Sequence, residues 1–188
     1  LPTMTNIQFI AKSVATAAIN IQKTVQLRVF SAKAEEAGAK LLSAHDRLAA
    51  LGPAYFSVTY GAGGSTKDGT KQAVIDIRAK GSDVAPHLSF GGDSADKIEA
   101  LLSEYKNANV TRVVALRGDM PSGMGGSVRL TYANELVDFI REKTGDHFHI
   151  EVAAYPEVHP DSRSVESDLN FFKANVDAGA NSAITQYF

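Results

Sequence analysis

The chain has 188 residues, of which 44% are apolar and 21% charged, with a formal net charge of -2 and no Cys. This length is enough for one sizeable core, and the near-neutral charge predicts neither a nucleic-acid nor a membrane partner. The lack of Cys excludes disulfides, zinc–thiolate sites and a thiol nucleophile, and it suits a reducing cytoplasm, where we expect the protein. No apolar run approaches the roughly 20 residues that span a bilayer.

The first 24 residues contain much Ala and few charges, so they could be mistaken for a signal peptide. Lys12 interrupts the stretch, Gln8 and Asn20 dilute its apolar character, and no basic leader precedes it. We therefore expect 1–24 to be an N-terminal helical extension that packs on a single domain formed by 25–188.

After residue 24, stretches rich in β-branched and aromatic residues alternate with stretches of good helix formers. The first helical stretch ends at Gly52–Pro53, and Ser94 is placed to cap the third helix. In chain order the sequence predicts a strand at 25–30, a helix at 32–51, a strand at 55–60, a helix at 68–81, a strand at 84–90, a helix at 94–109, a strand at 110–118, a helix at 132–145, a strand at 148–156, a helix at 164–179 and a strand at 182–188.

Strict alternation of apolar strands with helices indicates parallel strands joined by right-handed crossovers. An open doubly wound sheet and a (βα) barrel both fit, but the Gly-rich turn GAGGST lacks the spacing of a dinucleotide fingerprint. Polar residues cluster where successive strands end, which favours a barrel because its strand ends converge on one mouth. These residues are Thr59, Tyr60, His87, Arg117, Asp119, Tyr155, Glu157, His159 and Gln186.

Five segments between 46 and 188 carry a resemblance to a known family, namely DRLAALGPAYFSVTYGAGGSTKDGT, APHLSF, VALRGDMPSG, AAYPEVHP and KANVDAGANSAITQYF. In this order they resemble methylenetetrahydrofolate reductases of the bacterial, FAD-dependent type. The resemblance implies a (βα)8 barrel of which six units are present, FAD at its mouth, and reduction of 5,10-methylenetetrahydrofolate to 5-methyltetrahydrofolate with NADH or NADPH, a step of one-carbon metabolism and methionine biosynthesis.

The resemblance also assigns site residues. It makes Asp119 the catalytic residue, near the flavin and the folate, where its charge would favour reoxidation of the flavin, and it gives Gln186 to the folate. It makes Thr59 a contact of the flavin edge or the nicotinamide, and Lys173 part of a cationic patch whose neighbours Ala174 and Asn175 replace the Arg or Lys of many relatives. The other FAD contacts that it implies are Tyr60, Ala62, His87, Arg117, Gly118, Ala133, Tyr155, His159 and Asp168.

The main departure from the family pattern is at the first strand. Relatives carry a Glu that acts as the general acid toward the folate, and Arg28 stands at that position. Because an Arg side chain is a very poor proton donor, a catalytically impaired relative that binds flavin, folate or a partner is the alternative to an active reductase. An unrelated lyase or aldolase barrel is a third possibility, but no Lys at a strand end offers a Schiff base.

The sheet edges lead to an expectation about assembly. A barrel removes its edges only by closing, so six strands would leave the first and the last strand each with an unpaired side. We expect a homo-oligomer or a completing segment to cover these edges.

Overall fold

In a computed structural model of the chain, the described residues are 26–29, 35–59, 67–90, 93–117 and 132–185. The predicted helix at 1–24 and the predicted site residues Tyr60, Ala62, Gly118, Asp119 and Gln186 lie outside these ranges. The elements in chain order are β1 (Gln26–Val29), α1 (Glu35–Ala49), β2 (Tyr55–Val58), α2 (Lys67–Ala79), β3 (Val84–Leu88), α3 (Ala95–Asn107), β4 (Arg112–Ala115), α4 (Ala133–Thr144), β5 (His149–Ala154), α5 (Val165–Asp177) and β6 (Ser182–Thr185).

The six described strands form one sheet in the order β1-β2-β3-β4-β5-β6, and every neighbouring pair is parallel. This confirms the predicted parallel α/β arrangement, with a helix between each strand and the next. Among the strands whose predicted carboxyl ends are described, β3 and β5 end two residues earlier than predicted, because the residues there leave the hydrogen-bonded ladder for the loops. The predicted 84–90, for example, pairs only as Val84–Leu88.

One face of the sheet packs against the helices and holds the main core. Phe56, Val84, Val113 and Ile150 point from successive strands into this core, where each is at most 2% exposed. All residues of β2 and β3 are buried, which explains why these strands read as continuous apolar runs rather than as alternating patterns.

The other face of the sheet is concave. Tyr55 of β2 packs with Ala85 of β3 and Val114 of β4, and Ile184 of β6 borders this cluster. The Tyr55 hydroxyl also donates a hydrogen bond of 2.7 Å to Glu151 of β5. Three inter-strand intervals separate β2 from β5, about 14 Å in a flat sheet, so a contact between their side chains requires the sheet to curl toward this face.

Side-chain hydrogen bonds close the first turns of α4 and α5 but not that of α3. Ser94 is at the predicted N-cap position of α3, but its side chain makes no capping hydrogen bond. Ser164 caps α5 by accepting from the N–H of Ser167 at 3.1 Å. The N–H of Tyr132 donates to Glu135 at 2.9 Å and closes the first turn of α4. Because α4 and α5 follow β4 and β5 in a parallel sheet, their first turns lie at the carboxyl end of the sheet.

The described ranges contain neither a membrane-spanning helix nor a cluster of metal ligands. No helix there has the length and apolarity needed to cross a membrane. Nor do three or more His, Asp or Glu side chains in these ranges come together in a group that could hold a metal ion.

Candidate active site at the carboxyl ends of the strands

A cavity of about 720 Å³ opens at the carboxyl ends of β4 and β5, between the first turns of α4 and α5. This is where parallel α/β folds build ligand sites, because strand ends and helix N-termini converge there. Five residues that the sequence analysis assigned to the site line the cavity, namely Arg117, Ala133, Tyr155, His159 and Asp168.

The loop after β5 shapes one wall of the cavity. The Tyr155 and His159 rings meet edge to face with centroids 4.5 Å apart, and the N–H of Asp161 donates to Nδ1 of His159 at 3.0 Å. Val158 has a φ of 112°, a conformation that β-branched residues rarely adopt and that costs on the order of 1–3 kcal/mol. The loop therefore holds a strained residue next to His159 at the cavity.

An ion pair forms part of the cavity lining. Nη2 of Arg117, which lies two residues after the end of β4, is 2.5 Å from Oδ2 of Asp161 in the loop after β5. The side chains are 34% and 64% exposed, so both remain accessible to solvent. The hydrogen bond from Arg117 and its positive charge lower the pKa of Asp161. The sequence analysis did not select Asp161, since the loop conformation that brings it to Arg117 leaves no pattern in the sequence.

Two helix starts and an aromatic pair complete the lining. Tyr132, at the start of α4, stacks on Phe171 of α5 with centroids 5.2 Å apart and an interplanar angle of 21°. Both rings are partly exposed and line the cavity. Helix N-termini carry partial positive charge and unpaired N–H groups, so this wall favours anionic groups of a ligand. The cavity thus combines aromatic surface, a guanidinium and two helix starts.

The remaining described site candidates lie outside the cavity lining. Thr59 follows β2, and its carbonyl accepts a hydrogen bond of 3.1 Å from the Thr70 hydroxyl of α2. His87 is 6% exposed in β3. Lys173 pairs with Asp177 on α5. Their assignments stay predictions, as do those of the five residues outside the described ranges.

A second polar cluster, which we call the floor network, occupies the opposite end of the concave face. It comprises Tyr55, Arg112, His149, Glu151 and Ser182. Glu151 is 3% exposed and accepts hydrogen bonds from the Tyr55 hydroxyl at 2.7 Å and from Nη1 of Arg112 at 3.2 Å. Nε2 of His149 lies 2.7 Å from the Ser182 hydroxyl, and the Arg112 guanidinium lies 5.0 Å from the centroid of the Tyr55 ring.

Burial dominates the electrostatics of the floor network. It raises the pKa of Glu151, although the hydrogen bonds from Tyr55 and Arg112 oppose the effect. Burial and then the Glu151 carboxylate raise the pKa of Tyr55, and burial followed by the charge of Arg112 lowers that of His149. The sequence analysis missed this cluster, although a Glu inside the apolar strand HIEVAA is a signal that could have indicated it.

The fold and the cavity place the chain in the class of parallel α/β proteins with a ligand site at the carboxyl ends of their strands. Solved structures with this fold include 2,3-dimethylmalate lyase, at 15% identity and a TM-score of 0.58 over 94% of this chain and 62% of that one. Oxaloacetate acetylhydrolase is 13% identical with a TM-score of 0.58, over 95% of this chain and 64% of the other. At such identities the likeness concerns the fold alone.

The sequence then identifies the family. The family described as methylenetetrahydrofolate reductase matches residues 13–188, so the chain belongs to it. The chain is 40% identical to 5,10-methylenetetrahydrofolate reductase of Escherichia coli K12, over 89% of this chain and 55% of that protein. It is 36% identical to methylenetetrahydrofolate reductase (NADH) 1 of Arabidopsis thaliana, over 89% and 31%. The chain thus spans about half the length of the bacterial relative and about a third of the plant one.

Proposed function

We propose that the protein reduces 5,10-methylenetetrahydrofolate to 5-methyltetrahydrofolate with NADH or NADPH and a bound FAD. Family membership supports the reaction. The observation that carries the proposal is the convergence of Arg117, Tyr155, His159 and Asp168 on one cavity at the carboxyl end of the sheet. We also place this activity in the cytoplasm, as a step of one-carbon metabolism and methionine biosynthesis.

The cavity suits the phosphate and adenosine part of FAD. Its volume of about 720 Å³ is typical of small-molecule sites, and its walls offer a guanidinium, aromatic rings and two helix starts, which match phosphates and a purine. Arg117, Ala133, Tyr155, His159 and Asp168 would hold this part. Bound FAD would supply the redox chemistry that links NADH or NADPH to the folate.

Residues outside the cavity lining would contact the flavin, the nicotinamide and the folate. In this proposal Thr59 and His87, at and near the carboxyl ends of β2 and β3, contact the flavin or the nicotinamide. Asp119 adds a negative charge that opposes charge accumulation on the reduced ring. Gln186 offers a donor and an acceptor to the folate. Tyr60, Ala62 and Gly118 would line FAD, with Lys173 near its phosphates.

A second candidate function follows from β1. Arg28 pairs in register with Ser57 of β2, and it stands where the resemblance places the proton donor. A guanidinium stays charged at working pH, so the folate half-reaction would be slow while reduction of the flavin by NADH or NADPH would persist. Stopped-flow measurement of the two half-reactions separates the candidates. Fast folate reduction that persists in Arg28→Ala favours the active reductase, whereas slow reduction that Arg28→Glu accelerates favours the impaired relative.

We further propose that the six strands are an arc of a (βα)8 barrel that a second copy or further chain completes at β6. Supporting this, β6 alternates between half-buried and exposed residues, and none of the residues of α5 is buried. Light scattering tests the association. A monodisperse, thermally stable monomer of the 188-residue chain at tens of micromolar would contradict it.

Titration of the protein with FAD, followed by flavin fluorescence, tests the binding proposal. Single changes of His87, Asp119 and His159 to Ala should weaken FAD binding or shift its redox potential. Lys97→Ala, on the exposed side of α3, serves as the control and should bind FAD as the parent does. Unchanged affinity and potential in all three site variants would refute the proposed site.

A further inference from the structure

The main cation of the cavity already has an internal anionic partner. Arg117 faces the ligand space but is paired with Asp161 at 2.5 Å, and both side chains line the cavity. A guanidinium at such a position binds a phosphate or a carboxylate with the same donors. A phosphate-bearing ligand and Asp161 therefore compete for one group.

The loop geometry keeps Asp161 within reach of Arg117. The N–H of Asp161 donates to His159 Nδ1, and the N–H of Ser162 donates to the His159 carbonyl at 2.9 Å, which fixes a tight turn. The Asp161 carboxylate is nevertheless 64% exposed, so it can turn toward solvent without losing buried contacts. Exposed ion pairs are weak, which makes this pair replaceable by a ligand.

The charges around the cavity determine how strongly Asp161 opposes phosphate binding. Arg117 and Arg163 contribute positive charge to the lining, whereas Asp161 and Asp168 contribute negative charge. A phosphate that replaces Asp161 on Arg117 would still lie near the displaced carboxylate and be repelled by it. A ligand without phosphate does not meet this repulsion.

We propose that Asp161 determines the affinity of the cavity for phosphate-bearing ligands by competing with them for Arg117. The inference rests on the proposed function only for the identity of the ligand, a dinucleotide with a pyrophosphate. In this proposal Asp161 is a specificity-determining residue. Its carboxylate weakens the binding of anions in general, so that a ligand must also fit the aromatic part of the cavity.

The test compares Asp161→Asn with the parent by calorimetric titration of ADP and adenosine. The amide keeps the shape of the side chain and removes its charge, so ADP should bind about fivefold tighter, with a steeper loss of affinity as salt rises. Adenosine should bind unchanged. Asp46→Asn is the matched control because Asp46 also forms an ion pair, with Lys80, but lies outside the cavity, and its ADP affinity should equal that of the parent.

The outcomes separate this inference from the proposed function. Equal or weaker ADP binding by Asp161→Asn would overturn it, and weaker binding would mean that Asp161 orients Arg117 for the ligand. An equal gain for adenosine, or no ADP binding by either protein at millimolar concentration, would overturn it too. Tighter ADP binding by Asp161→Asn, together with no FAD binding by any form, would support the role of Asp161 and refute the FAD proposal.

Discussion

Two Arg–carboxylate pairs lie at opposite ends of β4 and differ in their surroundings. At the amino-terminal end, Arg112 contacts Glu151 at 3.2 Å, and the Glu151 side chain is 4% exposed. At the other end, Arg117 contacts Asp161 at 2.5 Å, and both side chains are open to solvent. The chemistry of the pairs is the same, so the difference in what they can do comes from burial.

The comparison shows how one sheet separates stability from binding. A buried carboxylate must keep its partners, because removing one leaves a desolvated polar group or charge. Glu151 accepts hydrogen bonds from residues of β2 and β4, and so ties these strands to β5 across the concave face. The exposed pair is weakly held and replaceable, which suits the end where a ligand binds.

The largest expected contrast is in the free energy of unfolding. Glu151→Ala should lower it by about 3 kcal/mol, the lower end of the range for broken buried pairs, because Arg112 is 30% exposed and can be rehydrated. Asp161→Ala should lower it far less, because both members of that pair are exposed. Urea denaturation of both variants measures the difference. Equal losses in the two variants would remove the contrast between the pairs.

The second contrast is between the two arginines, because one should affect FAD affinity and the other stability. Arg117→Ala should weaken FAD binding about tenfold or more, the effect of losing a charge-assisted hydrogen bond, without a change in the urea midpoint. Arg112→Ala should lower the midpoint because it removes a partner of Glu151, and it should leave FAD affinity intact. If Arg112→Ala weakened FAD binding as much as Arg117→Ala does, the two ends would not be separate in function.

Tyr55 tests how much one hydrogen bond of the floor network contributes to stability. Tyr55→Phe removes only the hydroxyl that donates to Glu151 and should lower the free energy of unfolding by about 1–2 kcal/mol. Tyr132→Phe is the matched control, because its ring is 40% exposed at the cavity, and it should have little effect on stability. Thermal and urea unfolding of the two variants should rank them in this order, and a larger loss in Tyr132→Phe would contradict the account.

The smallest expected effect is the dependence of stability on pH, and it has opposite signs at the two ends. Burial raises the pKa of Glu151 above its ordinary value of 4.5, so the stability linked to its protonation is complete below that pH and is lost as pH rises through the folded-state pKa. Asp161 has a pKa lowered from 3.8, so its contribution is present above that value and is lost as pH falls through the folded-state pKa.

Glu151→Gln and Asp161→Asn isolate these two contributions. Urea unfolding of the parent and each variant should show the parent losing stability relative to Glu151→Gln as the pH rises above 4.5. Relative to Asp161→Asn, the parent should lose stability below pH 4. If both differences had the same sign across these ranges, the assignment of the two groups would be wrong.

Much of the fold was predictable because burial on both faces produces apolar strands, and alternation with helices produces parallel pairing. The same reasoning predicted that Arg117, Tyr155 and His159 lie together, since they follow neighbouring strands of one sheet. This step requires only that parallel strands end at one edge, and all three residues line one cavity.

Contacts that depend on the course of a loop or on the curvature of the sheet were not predictable. Asp161 reaches Arg117 through a loop in which Val158 adopts a positive φ, and nothing in PEVHPDSRS indicates that conformation. Tyr55 reaches Glu151 across three inter-strand intervals because the sheet curls. Neither contact follows from the order of the residues along the chain.

The central claim is that the carboxyl-terminal end of the sheet binds FAD and the floor network does not. Hydrogen–deuterium exchange with and without saturating FAD tests it most directly. We predict new protection at 155–168 and at the start of α4, with no change at Arg112 or His149–Glu151. Protection centred on the floor network, or no protection at any segment, would contradict the claim.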